Sequence, residues 1–192
     1  MRKIVLASSS PRRKEIFSKT KLPFIVDLGD YEEDMTLKMK PIELAKFLSR
    51  GKAESVAKRH KNAIVIGADT FIAHKDIVLG KPHISRKAKE MLKMLSGKTH
   101  SVVTGYTIID TKTGKSISRT NESKIHFRKI SDREIDAYVK TGEPLDKAGA
   151  YAVQERGAVF IKKIEGDFMN VMGLPLYEIM EELKKFGIKP FM

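Results

Sequence analysis

Apolar positions along this chain alternate between short continuous runs and helical stripes, from one end to the other. Ile4-Val5-Leu6-Ala7 is a continuous run and predicts a buried strand. Ser8-Ser9-Ser10-Pro11-Arg12-Arg13 follows; Ser10 suits a helix cap and Pro11 the first turn of a helix through Ile16 and Phe17. Phe24 to Leu28 predicts a second strand, and an acidic patch of Asp30, Glu32, Glu33 and Asp34 comes after it. Pro41 opens a helix with Leu44, Phe47, Leu48 and Val56 roughly on one face. Ala63 to Ile66 predicts another buried strand. Gly67-Ala68-Asp69-Thr70 is expected to end it, with Phe71-Ile72-Ala73 continuing extended.

Gly80-Lys81-Pro82 reads as a turn, and Ser85 as the cap of a helix carrying Ala88, Met91, Leu92 and Leu95, stopped at Gly97. Val102 to Ile109 and Ser116 to Phe127 predict strands joined by the turn Asp110 to Gly114. Ser131 and Glu134 form a capping box for a helix through Ile135, Tyr138 and Val139, which Thr141-Gly142 stops. Ala150 to Gln154 and Ala158 to Ile164 read as a strand pair. Pro175 begins a last helix with Leu176, Ile179, Met180, Leu183 and Phe186 as its stripe and Gly187 as its stop. Strands alternate with helices but also include hairpins. That argues for an α/β fold with a mixed sheet and helices around it.

The composition narrows the function. At 192 residues the chain fits a single domain of two lobes, or at most two small domains. It has no cysteine, so disulfides, thiolate metal sites and cysteine nucleophiles are excluded, and a reducing cytoplasmic setting is expected. No apolar run approaches the roughly 20 residues that span a bilayer. The net charge of +13 favours acidic partners, either nucleotides and other phosphates or nucleic acid.

Four stretches carry candidate chemistry. Two arginines in the first turn of a helix oppose its dipole by about a few tenths of a kcal/mol, yet their planar forks suit a phosphate. Asp69, where a buried run ends after two small residues, can hold a metal or take a proton; capping a turn is the alternative. Lys81 sits between a glycine and a proline, and Glu33 can supply a hard oxygen to Mg²⁺. The five histidines show no ligand spacing, and no phosphate-loop or dinucleotide glycine motif is present.

Taken in order, these stretches resemble the Maf family of nucleoside triphosphate pyrophosphatases. The pieces are Ala7 to Arg13, Gly67-Ala68-Asp69-Thr70, Gly80-Lys81-Pro82, Ser96-Gly97 to Thr104, Thr141-Gly142-Glu143-Pro144 with Asp146-Lys147-Ala148-Gly149, and Gly166-Asp167-Phe168 to Leu176. The resemblance implies an elongated mixed sheet in two lobes with a central cleft, similar to inosine triphosphate pyrophosphatases. It implies hydrolysis of a nucleoside triphosphate to the monophosphate and pyrophosphate with a divalent cation, Mg²⁺ or Mn²⁺, in a homodimer. By that match Asp69, Lys52 and Lys81 are catalytic, and Ser8, Ser10, Arg12 and Arg13 bind phosphate. Glu33 and Asp69 hold the metal, and Arg12, Thr70 and Gln154 read the base, as in the branch acting on dTTP and UTP. The rival class, a basic nucleic-acid-binding regulator linked to cell division, requires a basic stripe interleaved with exposed aromatics. Phe and Tyr fall mostly at apolar-periodic positions instead, and Trp is absent.

Overall fold

The computed structural model describes residues 2–32, 37 and 39–189. Seven strands, β1 (Lys3–Ala7), β2 (Phe24–Val26), β3 (Ala63–His74), β4 (Ile77–Leu79), β5 (Thr99–Asp110), β6 (Ser116–Phe127) and β7 (Ile161–Glu165), form one sheet. Its order is β2-β1-β3-β5-β6-β7, with β4 paired to β3. The helices are α1 (Pro11–Ser18), α2 (Pro41–Ala57), α3 (Ser85–Leu95), α4 (Asp132–Lys140), α5 (Phe168–Val171) and α6 (Leu176–Lys184). The sheet is mixed: β1 lies parallel to β2 and β3, whereas β4 is antiparallel to β3 and β7 to β6. Among the described residues no helix is long and apolar enough to cross a membrane.

The chain forms two compact units, one of Met1–Asp69, Thr104–Asn121 and Gly173–Met192, the other of Thr70–Val103 and Glu122–Met172. In the first, β1 leads through α1 to β2, and α2 leads on to β3. Such crossovers allow parallel pairing and cover the strands, which is why the runs of β1 and β3 are apolar without alternation. Val5, Ala7, Ala53, Val56, Ala63 and Val65 pack together in its core. The helix α2 lies unusually close to the sheet. A Cβ on Gly105 would stand 2.0 Å from the Ala45 carbonyl oxygen, and one on Gly67 would stand 2.6 Å from the Ser49 carbonyl oxygen. Bare backbone at these two strand positions is what admits the helix. Ser49 Oγ, Thr107 Oγ1 and Ser118 Oγ then form a buried hydroxyl chain at 3.0 and 2.8 Å.

In the second unit, α3 and α4 bury Leu92, Leu95, Ile135 and Val139 against Val102 and Phe127. Phe127 makes edge contacts with His100 and Tyr151 at 4.8 and 4.7 Å between centroids. The capping box of α4 forms as expected: Ser131 Oγ accepts from Glu134 N–H, and the Glu134 carboxylate accepts from Ser131 N–H.

Five expectations are corrected. Ala150 to Gln154 is not a strand, because Gly149 and Ala150 both take positive φ, +66° and +64°, which breaks an extended run. Arg156–Phe160 forms a 3-10 turn, and only Ile161–Glu165 is a strand, paired with β6. Ser85 is already helical; Ile84 stands at the cap, without a side-chain bond. Phe47 is 45% exposed on α2 rather than part of its buried face. Most consequential, β3 does not end at Gly67-Ala68-Asp69-Thr70 but runs through it to His74. The small residues there make room for α2; they do not mark a turn.

Candidate active site

The turn after β1 is built by its own hydroxyls. Ser8 N–H returns to the Leu6 carbonyl at 3.0 Å, Ser10 N–H donates to Ser8 Oγ at 3.3 Å, and Ser10 Oγ caps α1 by accepting from Arg13 N–H at 3.4 Å. Pro11 takes the first helical position, as the sequence implied. This geometry turns the two arginines apart. Arg13 is buried; its Nε donates to the Gly173 carbonyl at 2.8 Å and its Nη1 to Ser8 Oγ at 3.2 Å. Arg12 is half-exposed in the same turn.

Asp69 owes its position to strand periodicity. Successive side chains alternate between faces, so Gly67 and Asp69 share the face of β3 on which α2 lies. Gly67 lets the helix touch the strand, and two residues on, the Asp69 carboxylate meets Lys52 of α2. Lys52 Nζ donates to Asp69 Oδ1 at 2.5 Å, with side-chain exposures of 18% and 9%. Asp69 Oδ2 accepts no hydrogen bond among the described residues. Sequence reasoning singled out Asp69 as a strand terminator; the structure makes it a mid-strand carboxylate, 6% exposed, fixed by an ammonium from the neighbouring helix.

Beside this pair lies a cavity of about 200 Å³. Ala7, Ser8, Ser9 and Arg13 line it from the β1–α1 turn, Lys52 and Ser55 from α2, and Leu28, Gly29 and Tyr31 from the segment after β2. That last segment is laid directly on α2. A Cβ on Gly29 would stand 1.8 Å from Ser55 Oγ, and one on Gly51 would stand 2.2 Å from the Tyr31 ring. Its start is anchored at the end of α2: Arg59 Nη2 and His60 Nε2 each meet an oxygen of Asp27 at 2.7 Å. The His60 hydrogen bond, with Arg59, holds the Asp27 carboxyl below its ordinary range. A cavity floored by hydroxyls, a buried guanidinium and an ammonium is suited to a polyanion.

Of the residues singled out from sequence, the structure therefore gathers Ser8, Arg13, Lys52 and Asp69 in the first unit. Ser10 belongs to the same turn, but its hydroxyl caps the helix. Glu33 lies outside the described residues. Among the described residues no three His, Asp or Glu side chains cluster as a metal site. Ser9, Leu28, Gly29, Tyr31 and Ser55 were missed; only Ser55, one helical step from Lys52, left a readable signal, its i,i+3 spacing.

Thr70, Lys81 and Gln154 belong to the second unit. Thr70 is its first residue, next to Asp69 on β3. Lys81 is exposed in the turn before α3, which Gly149 N–H and His83 N–H fasten to the Gly80 and Leu145 carbonyls at 3.0 and 2.9 Å. Lys147, and to a lesser degree Lys81, keep the Asp146 carboxyl below its usual range. Gln154 is exposed at the middle of a short irregular segment between Tyr151 and Gly157.

With this geometry in view, the comparisons with known proteins agree with one another. A family model described as "Maf-like protein" matches residues 3–186. A Methanosarcina barkeri protein named dTTP/UTP pyrophosphatase is 48% identical over 192 residues, covering 100% of this chain and 98% of that one. A Bacillus mycoides protein of the same name is 42% identical over 186 residues, 97% of this chain and 96% of its own length. Among solved structures, the Ham1 protein of Staphylococcus aureus is similar with a TM-score of 0.54 at 12% identity, covering 97% of this chain and 100% of that one. At that identity the likeness bears on fold alone, and the fold it supports is the mixed α/β sheet described above.

Proposed function

This chain belongs to the Maf-like protein family, and from that premise we propose that it hydrolyses dTTP and UTP to the monophosphate and pyrophosphate. Two relatives named for that activity align over nearly all of both chains, which supports the reading. The observation that carries it is the buried Lys52–Asp69 pair beside a cavity lined by Arg13, Ser8 and Ser9.

In this reading a water oxygen attacks the α-phosphorus, the bond to the bridging oxygen breaks, and pyrophosphate leaves. Asp69 receives the water's proton through Oδ2 while Lys52 holds Oδ1. Fixing one oxygen by a charged hydrogen bond keeps the other aimed, so little reorganisation is needed at the moment of reaction. Arg13, Arg12 and the serine hydroxyls bind phosphate oxygens, and Lys81 is a catalytic cation in this reading. Arg12, Thr70 and Gln154 meet the base. A primary amide offers one acceptor and two donors in a plane, and held in one orientation it meets the imide edge of thymine or uracil with two hydrogen bonds, whereas cytosine reverses the order of donor and acceptor and would need the amide flipped.

A divalent cation fits the donors present. Mg²⁺ takes few protein ligands, one or two carboxylates with the remainder from water and phosphate. Asp69 Oδ2, which accepts no hydrogen bond among the described residues, is such a donor where it holds the cation instead of taking the proton, and Glu33 is the second in this reading. When bound, the cation neutralises charge on the leaving phosphates and acidifies water. We further propose a cytoplasmic homodimer, which light scattering checks.

Release of pyrophosphate from dTTP, UTP, CTP, ATP and GTP, each with Mg²⁺, tests the proposal. Turnover confined to dTTP and UTP is expected. Activity on none of the five, or equal activity on all, would overturn it. Excess EDTA should abolish turnover and added Mg²⁺ or Mn²⁺ restore it; full activity in EDTA removes the cation from the scheme.

A further inference from the structure

Gln154 stands at the apex of a short arc whose two ends are tied to one pair of side chains. Tyr138, on α4, is buried, and its phenol O–H donates to Glu143 Oε1 at 2.7 Å. The carboxylate's other bonds come from backbone: Arg156 N–H donates to Oε2 at 3.1 Å and Gly157 N–H to Oε1 at 3.0 Å. On the near side of the arc, the Ala152 backbone lies close to the Tyr138 oxygen, both of them crowding position 157. Glycine is required at position 157, because a Cβ there would stand 2.7 Å from the Tyr138 hydroxyl and 2.9 Å from the Ala152 carbonyl oxygen. Ala152 and Gly157 are thus drawn together onto one phenol and one carboxylate. Lys147 Nζ reaches Glu155 at 3.4 Å and braces the apex. Between these ties Gln154 and Glu155 are exposed.

That division is informative. The backbone of the arc is pinned from both ends, while the side chain at its middle faces outward. Two hydrogen bonds from one amide need the amide held within about 0.5 Å and 10–20° of its working geometry, and a bare surface turn does not supply that. Burial and the Glu143 carboxylate both push the Tyr138 hydroxyl pKa upward, so it remains a donor over the working range. Neither group lines the cavity of the first unit, and the contacts described above leave Tyr138 and Glu143 engaged with the arc.

We infer that Tyr138 and Glu143 are positioning residues for base selection, acting through the backbone of Ala152–Gly157 to aim Gln154. The inference rests on the proposal that Gln154 reads the base. Tyr138→Phe removes one hydroxyl and keeps the ring against Phe160, 5.1 Å away between centroids. Glu143→Gln keeps the size but sets an amide NH₂ against one of the two backbone donors.

The test measures kcat/KM for dTTP and for CTP in the wild type, Tyr138→Phe, Glu143→Gln, Gln154→Ala and the double variant Tyr138→Phe with Gln154→Ala. Melting temperatures are taken alongside. Each positioning variant should lower the dTTP-to-CTP ratio by about tenfold, the scale of one lost hydrogen bond, chiefly by raising KM for dTTP. In the double variant the ratio should equal that of Gln154→Ala, since no reader remains to misplace. Hydrogen exchange at the Arg156 and Gly157 amides should quicken in Glu143→Gln, which gives a readout where turnover is too weak. A ratio lost in Gln154→Ala but kept in both positioning variants overturns this inference alone. Additive losses in the double variant also overturn it. A ratio kept in Gln154→Ala overturns the base reading and this inference with it.

Discussion

Asp69 is a carboxylate taken almost out of water and given one charged partner. Removing a partner from a buried pair leaves an uncompensated charge, which costs about 3–5 kcal/mol. Lys52→Ala should therefore unfold at markedly lower denaturant as well as lose activity, whereas Asp69→Asn strands only the more solvated ammonium, 18% exposed, and should keep most of its stability while losing turnover by about 10²-fold or more. Urea unfolding and pyrophosphate release on the same preparations separate the two effects. Near-native turnover in Asp69→Asn would take Asp69 out of the mechanism. The sequence pointed to this residue through its small neighbours, which it read as a strand end. The neighbours mattered for another reason, the nearness of a helix, and single-strand periodicity carries no information about what lies above a strand. Tyr31 and Gly29 were illegible for the same reason, since their partners Gly51 and Ser55 lie far along the chain on α2.

At the level of elements, the most legible features were those whose cause is local. Ser10 with Pro11, and Ser131 with Glu134, cap helices through atoms three residues away, and both caps stand in the structure. The Ala150 to Gln154 segment was illegible because the chain enters it through a positive φ at Ala150 and leaves it toward Arg156 and Gly157, whose N–H groups go to the Glu143 side chain instead of a strand ladder, and that choice is made in another element. The contact of α2 with the sheet is likewise non-local, and it makes a sharp prediction. Gly105→Ala adds a methyl where the nearest atom is a backbone oxygen, so the helix must shift. Overpacking of this kind costs about 1–3 kcal/mol. Melting of Gly105→Ala should fall by several degrees, and its kcat for dTTP should fall too, because Lys52 rides on the displaced helix. By contrast Gly114→Ala meets no atom within 4 Å and carries only the strain of φ +75°. A Gly105→Ala protein with unchanged melting and turnover would show that α2 has slack.

For the molecule as a whole, acid should be a greater threat than the composition suggests. His100 is buried beside Tyr151 and Phe127, and desolvation, aided by His74 and His126, pushes its pKa down to about 3 from an ordinary 6.5. The unfolded chain then binds a proton that the folded one refuses. Stability is full above the ordinary histidine range and is lost as pH falls below it. Between pH 6.5 and 5 this one group removes about 2 kcal/mol, at 1.36 kcal/mol per pH unit. Comparing chemical denaturation at pH 7.5 and 5 should show a smaller drop in His100→Gln than in the wild type, even though the variant starts out less stable. Equal drops would show that His100 does not carry the effect. The basic excess has a quieter role. Lys89 and Lys93 pair with Asp136 and Asp132 at 2.7 and 3.0 Å, and among the described residues the exposed aromatics Phe47, Phe168 and Tyr177 sit on three different helices, which is not the pattern of a single-strand binding groove. The seat of α2 on bare backbone has one more consequence, visible only across many descendants. Ala45, Ser49, Ala53, Gly67 and Gly105 share that seat, so a saturation scan should find them closed to larger residues, as closed as Asp69 itself. Sequence drift in this lineage would then preserve a row of small residues that never touches substrate, and anyone ranking positions by invariance alone would mistake that row for chemistry.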